Sequence, residues 1–87
     1  MTARGTIRYW AAAKAAAGVA EELYAADTLA EALAAARAGH DERFSSVLDR
    51  CSFVVDGGPV GARPHASVPL LDGGTVEVLP PFAGGRA

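Results

Sequence analysis

The strongest constraint on this chain is the position of its most strand-like segments. Thr75-Val76-Glu77-Val78-Leu79 alternates in polarity and is rich in β-branched residues, so it reads as a strand. Pro80-Pro81 ends it, because neither residue donates a ladder hydrogen bond. Near the other end, Thr6-Ile7-Arg8-Tyr9-Trp10 is β-branched and aromatic and reads as a first strand. The segments between them contain helices, and a helical crossover permits two such strands to lie side by side. A chain of 87 residues has room for one domain built around that pair.

The intervening sequence supplies the other elements. Ala11 to Ala17 is alanine with a single Lys14, a short helix that Gly18 is placed to end in a left-handed conformation. Glu22-Leu23-Tyr24 is a weaker strand candidate. Thr28 and Glu31 have the spacing of a capping box, and Leu29, Ala32, Leu33 and Ala36 then form one apolar helical face. Gly39 stops that helix. Asp41 is placed to cap another, with Phe44, Val47, Leu48 and Cys51 at apolar spacing. Ser52-Phe53-Val54-Val55 is a strand ending in the tight-turn pair Asp56-Gly57, and Val60 begins the return. Residues 61–69 read as irregular, and Asp72-Gly73-Gly74 as a turn. This order predicts an α+β domain with helices packed on one face of a mixed sheet.

Composition excludes several classes of function. Hydrophobic residues make up 51% of the chain, too many for a disordered protein. The net charge is −2, from 8 basic and 10 acidic residues, and no Lys/Arg cluster offers a nucleic-acid surface. No apolar run approaches the ~20 residues of a membrane span. Arg4 and Arg8 interrupt any secretory signal, and the single Cys51 excludes an internal disulfide and fits a reducing compartment. The expectation is a soluble, cytoplasmic protein.

No set of residues suggests a catalytic centre. Cys51 falls on the apolar face of its predicted helix, which favours packing over redox chemistry. His40, His65 and Cys51 lack metal-ligand spacing, so no metal is expected. Ser45-Ser46 lack a nucleophile-elbow context. Glu21, Glu22 and Glu77 read as solvated or partner-facing charges, and Arg8 and Arg63 as solvated or paired with a partner. Turn chemistry explains Gly57-Gly58 and Gly73-Gly74.

Gly84-Gly85 is different, because no strand follows it. Pro80 and Pro81 stiffen the exit from the sheet, and Phe82 places an aromatic beyond it. Ala83 leads into two glycines that can thread a narrow slot. Extended, the segment from Pro80 to Gly85 reaches roughly 20 Å, enough to enter another protein's active site.

The ending Val76-Glu77-Val78-Leu79-Pro80-Pro81-Phe82-Ala83-Gly84-Gly85 resembles that of the MoaD/ThiS family of ubiquitin-like sulfur carriers. The opening from Ile7 through the alanine-rich segment to Gly18 resembles the MoaD branch, and Val55-Asp56-Gly57 and Leu71-Asp72-Gly73 sit where the family has turns. The resemblance covers nearly the whole chain. It implies a β-grasp domain over residues 1–79 and a flexible C-terminal tail over 80–87. It implies that Gly85 carries a carboxylate activated as an acyl-adenylate by a ubiquitin-activating-type adenylyltransferase, with Gly84 giving access. Sulfur then replaces AMP to give a thiocarboxylate.

On this resemblance the protein is a carrier with no catalytic constellation of its own. ATP is used by the partner, sulfur is carried covalently, and no cofactor or metal is bound. Leu79, Pro80, Pro81, Phe82 and Ala83 position the arm and dock it. The implied acceptor is the large subunit of molybdopterin synthase, or another sulfur-accepting enzyme of thiamine, cysteine or specialised-metabolite synthesis. Arg86 and Ala87 follow the second glycine, a departure from the family's pattern that calls for a processing peptidase. A ubiquitin-like modifier and a plain binding module on the same fold remain open alternatives.

Overall fold

In the computed structural model, which describes residues 2–81, strand β1 (Arg4–Tyr9) runs into helix α1 (Ala11–Ala17) and then the edge strand β2 (Glu21–Ala25). Helices α2 (Leu29–Ala38) and α3 (Glu42–Leu48) follow. The chain then forms β3 (Ser52–Val55), the two-residue β4 (Gly58–Pro59), a 3-10 turn at His65–Ser67, and β5 (Thr75–Leu79).

The sheet order is β2-β1-β5-β3-β4. β5 pairs parallel with β1, with Ile7 opposite Val76 and Tyr9 opposite Val78. It pairs antiparallel with β3, with Phe53 opposite Val78 and Val55 opposite Val76. The outer pairs β1–β2 and β3–β4 are antiparallel. The last strand is therefore central, and the first strand lies beside it as the sequence allows. Inward-facing Ile7, Tyr9, Tyr24, Phe53, Val76 and Val78 are all buried and share the core with Leu29, Leu33, Phe44 and Leu48 from the helices. Each such side chain contributes about 1.5–3 kcal/mol of burial. With its helices on one face and a mixed sheet, this is the β-grasp architecture that the resemblance implies.

The caps form where the sequence puts them. Thr28 Oγ1 accepts from Glu31 N–H at 3.2 Å, while the Glu31 carboxylate takes the N–H of Asp27, one residue before the cap. The Asp41 side chain accepts from Phe44 N–H at 3.0 Å. Gly18 ends α1 at φ 79°. Asp56 (φ 49°) and Gly57 (φ 83°) both occupy the left-handed region, the signature of the two-residue hairpin turn that matches strand twist.

Three expectations need correction. Helix α3 ends at Leu48, so Cys51 lies outside it, half-buried before β3. Its apolar spacing continues past a helix that tightens into i to i+3 bonds, Arg50 N–H to Val47 O and Cys51 N–H to Leu48 O. The return strand is Gly58–Pro59, ahead of Val60. The stretch 61–69, read as irregular, forms a 3-10 turn at His65–Ser67 and buries Val68, whose O accepts from Leu29 N–H at 2.9 Å; the residues flanking it, Val60 and Leu70, are buried too.

Candidate functional site

The chain leaves the sheet from its middle. Leu79, the last residue of β5, lies opposite Ser52 of β3, while Trp10 N–H donates to Val78 O at 3.2 Å from the β1 side. The exit is thus flanked by the start of β3 and the junction of β1 with α1. Leu79 and Pro80 are half-buried and Pro81 is exposed. Phe82, Ala83, Gly84, Gly85, Arg86 and Ala87 lie outside the described residues, so the structure describes three of the five predicted arm residues and neither glycine.

The sheet face turned away from the helices carries a polar cluster beside this exit. Arg8 lies between Glu21 and Glu77 in the strand register. Its guanidinium contacts Glu21 at 3.4 Å and lies over the Trp10 ring, 5.1 Å from the centroid. Trp10 Nε1 donates to Glu77 Oε1 at 3.2 Å. Trp10 remains 41% exposed, a large aromatic held in place beside the departing chain. Strand alternation puts Arg8, Glu77 and Leu79 on this face, while Trp10 lies just past β1, at the turn into α1 where Ala11 adopts φ 49°. That left-handed conformation costs a residue with a Cβ about 1–2 kcal/mol.

Glu22 corrects the reading of the acidic residues as solvated or partner-facing. On the core face, its Oε1 accepts from the Tyr9 hydroxyl at 2.7 Å and meets His40 Nε2 at 2.7 Å. His40 stacks on Phe44 at 4.3 Å, and Tyr9 packs edge-on to the same ring at 5.5 Å. Burial, reinforced by the Glu22 carboxylate, pushes the Tyr9 phenol far above its usual range. The Tyr24 phenol is also raised, by burial and then by the carboxylates of Asp56 and Asp72, while a hydrogen bond from Gly74 opposes the shift.

The other singled-out residues have structural roles. The Cys51 thiol donates to Val47 O at 3.2 Å, and burial pushes its pKa up, opposite to an activated nucleophile. His65 packs edge-on against Phe53, and Arg63 donates to Val60 O and Pro59 O. The turn aspartates secure the starts of the two central strands, Asp56 that of β5 and Asp72 that of β1. Asp56 Oδ1 accepts from Thr75 N–H at 2.8 Å, and Asp72 Oδ1 from Arg4 N–H at 2.9 Å. Among the described residues, no three His, Cys, Asp or Glu are grouped to hold a metal ion, and no helix is long and apolar enough to cross a membrane.

A sheet of this order, with its last strand central and leading directly into a Pro-Pro and Gly-Gly segment, defines a ubiquitin-like β-grasp protein. The chain belongs to the ThiS family, whose model matches residues 7–85 and so includes Gly84 and Gly85. No curated protein matches the sequence. Among solved structures, the fold is similar to small archaeal modifier protein 1 from Methanosarcina acetivorans, with a TM-score of 0.82 and 15% identity over 98% of this chain and 99% of that one. It is similar to the protein of the same name from Haloferax volcanii, with a TM-score of 0.76 and 20% identity over 94% and 99% of the two chains. It is also similar to a chain in the complex of subunits 1 and 2 of the molybdopterin-converting factor from Helicobacter pylori, with a TM-score of 0.67 and 22% identity over 94% and 99%. At these identities the structural likenesses establish the fold.

Proposed function

We propose that the protein is a cytoplasmic sulfur carrier, with residues 80–85 as its working arm and Gly85 as its reactive end. A carboxylate is a poor electrophile, so the chemistry begins on a ubiquitin-activating-type adenylyltransferase. The Gly85 carboxylate attacks the α-phosphorus of ATP, pyrophosphate leaves, and the acyl-adenylate forms. Hydrosulfide then attacks the acyl carbon, the bond to AMP breaks, and a thiocarboxylate remains. Gly84 lets the arm pass a narrow channel, and Leu79, Pro80, Pro81, Phe82 and Ala83 hold and dock it. The catalytic groups and the ATP site belong to the partners. Arg86 would block a slot shaped for glycine, so a peptidase removes Arg86 and Ala87 first.

The observation that carries this reading is the family match through Gly85, on a fold whose central strand feeds straight into that segment. The proposed acceptor is the large subunit of molybdopterin synthase, supported by the similar chain in the two-subunit molybdopterin-converting factor complex. A second reading, a ubiquitin-like modifier whose Gly85 forms an amide with a target lysine, is supported by the likeness to two small archaeal modifier proteins. Intact mass on protein isolated from its native host separates the two readings. A species ending at Gly85, with one oxygen replaced by sulfur, is expected of the carrier. Conjugates that survive thiols and denaturant are expected of the modifier. A chain that keeps all 87 residues and gains no sulfur under growth that requires molybdopterin synthesis refutes the carrier reading.

A further inference from the structure

Strand β2 is an unpaired edge of the described sheet. In its ladder with β1, Tyr9 N–H donates to Ala20 O at 2.8 Å and Ala26 N–H to Ala3 O at 2.9 Å. Antiparallel pairing alternates, so Glu22 and Tyr24 also turn their backbone groups toward β1. Glu21, Leu23 and Ala25 turn theirs outward, where no described strand pairs with them. The opposite edge, β4, is blunted by being two residues long and carrying Pro59. The β2 edge is five residues long with Leu23 at its centre, 85% exposed. Of its two carboxylates, Glu21 stays exposed and leans to Arg8 on the open face, while Glu22 is held on the core face by Tyr9 and His40.

On the helix side of this edge, a slot of about 290 Å³ lies between β2 and α2. Ile7, Tyr24, Ala32, Ala35 and Ala36 give it apolar walls that small side chains leave open, and Glu22 and His40 add polar groups to the lining. It contains no Lys or Arg. Glu22 Oε1 is shared by Tyr9 and His40, while Oε2 has no hydrogen-bond partner among the described residues.

We propose that β2 takes up an extended peptide of a partner protein as a sixth strand, antiparallel to itself. Residues two apart on the added strand face the slot, one opposite Tyr24 and the next opposite Glu22. The first is aliphatic and fills the space left by the alanines. The second is Lys or Arg and pairs with the Glu22 carboxylate. The recognised pattern is therefore aliphatic-x-basic, with main-chain bonds from Glu21, Leu23 and Ala25 supplying affinity. A second copy of this chain fits less well. Pairing two such edges leaves the slot unfilled and covers a narrow strip, short of the ~1,200 Å² of a stable interface.

The test is a titration of the full isotope-labelled chain with the blocked heptapeptide Ser-Thr-Ile-Thr-Lys-Thr-Ser, followed by amide NMR. Shifts and slowed hydrogen exchange are expected at Glu21, Leu23 and Ala25. Replacing the peptide's Lys by Glu should weaken binding by roughly tenfold or more. Ala35→Leu, at an exposed helix position, should do the same by filling the slot. Leu23→Pro removes an outward N–H that β1 does not use, so it should abolish strand addition with the fold retained by circular dichroism. Undisturbed edge amides at millimolar peptide, or binding indifferent to Ala35→Leu, overturns the proposal. Edge protection that grows with protein concentration alone assigns the edge to a second copy and overturns it equally. None of these outcomes depends on Gly85.

Discussion

Gly5→Ala should be among the most damaging small changes in this domain. Gly5 lies on the inward face of β1 opposite Tyr24, and the Tyr24 ring crosses the gap so that its hydroxyl donates to Leu71 O. A Cβ at position 5 would fall inside the contact distance of the Tyr24 ring and hydroxyl and of the Gly74 backbone oxygen. The tyrosine can swing away, but Gly74 O is held by the N–H of Thr6 at 3.0 Å. Overpacking of this kind costs about 1–3 kcal/mol. Displacing the tyrosine forfeits a hydrogen bond worth about 1 kcal/mol. Reduced freedom of the unfolded chain returns about 0.4–1 kcal/mol. The net loss is about 1–3.5 kcal/mol, or roughly 5–25 °C in melting temperature for a domain of this size. Urea unfolding of Gly5→Ala, alone and with Tyr24→Ala, measures it. Because the two sites touch, the alanine at position 5 should cost about 1 kcal/mol less when the ring is absent. A single variant within about 0.5 kcal/mol of wild type, or strict additivity in the pair, would refute the reasoning.

Four further outcomes are expected. Phe44→Ala removes the ring on which His40 and Tyr9 pack and should cost about 3–5 kcal/mol by denaturant unfolding. Ala11→Gly should raise stability by up to about 1 kcal/mol by relieving the left-handed conformation, and an unchanged or lower melting temperature would contradict that. The Tyr9 and Tyr24 phenols are raised in the folded state, so their protonated forms stabilise the fold fully below the ordinary tyrosine range. That stabilisation is lost as pH rises from about 10, where the unfolded chain ionises first, and tyrosinate absorbance should appear together with unfolding. Cys51, with its thiol raised by burial, should react with iodoacetamide at neutral pH more slowly in the native protein than in denaturant.

Much of this architecture was legible because local chemistry and global fold agree. The Thr28 and Asp41 caps, the Asp56-Gly57 turn and the proline stop after β5 each have a short-range physical cause, and each forms where the residues predict. Other features depend on contacts between distant segments. Val60, Val68 and Leu70 enter the core from a stretch with no periodicity, so no pattern marks them. Cys51 continues the apolar spacing of α3 although the helix has ended, because spacing alone does not register a tightening last turn. Glu22 reads as a solvated charge until the fold brings Tyr9 and His40 to it. The proposed arm rests on its motif alone, since a Gly-Gly pair with no strand after it lacks the usual structural reason for glycine, and both glycines lie outside the described residues. Trp10, which borders the arm's exit, was read only as part of a strand.

The central position of β5 has a consequence for how the protein is made. Its partners are β1, from the opposite end of the domain, and β3, so the native contacts of the sheet have high sequence separation. During synthesis, β1, β2 and the helices emerge with Ile7, Tyr9 and Phe53 unable to meet Val76 and Val78 until the ribosome has passed residue 79. Nascent chains therefore reach the native sheet late, and a product truncated before β5 cannot complete it. The proposed reactive segment begins at the next residue. The face formed by Arg8, Trp10 and Glu77 is therefore complete only on chains that also extend to the start of the proposed arm.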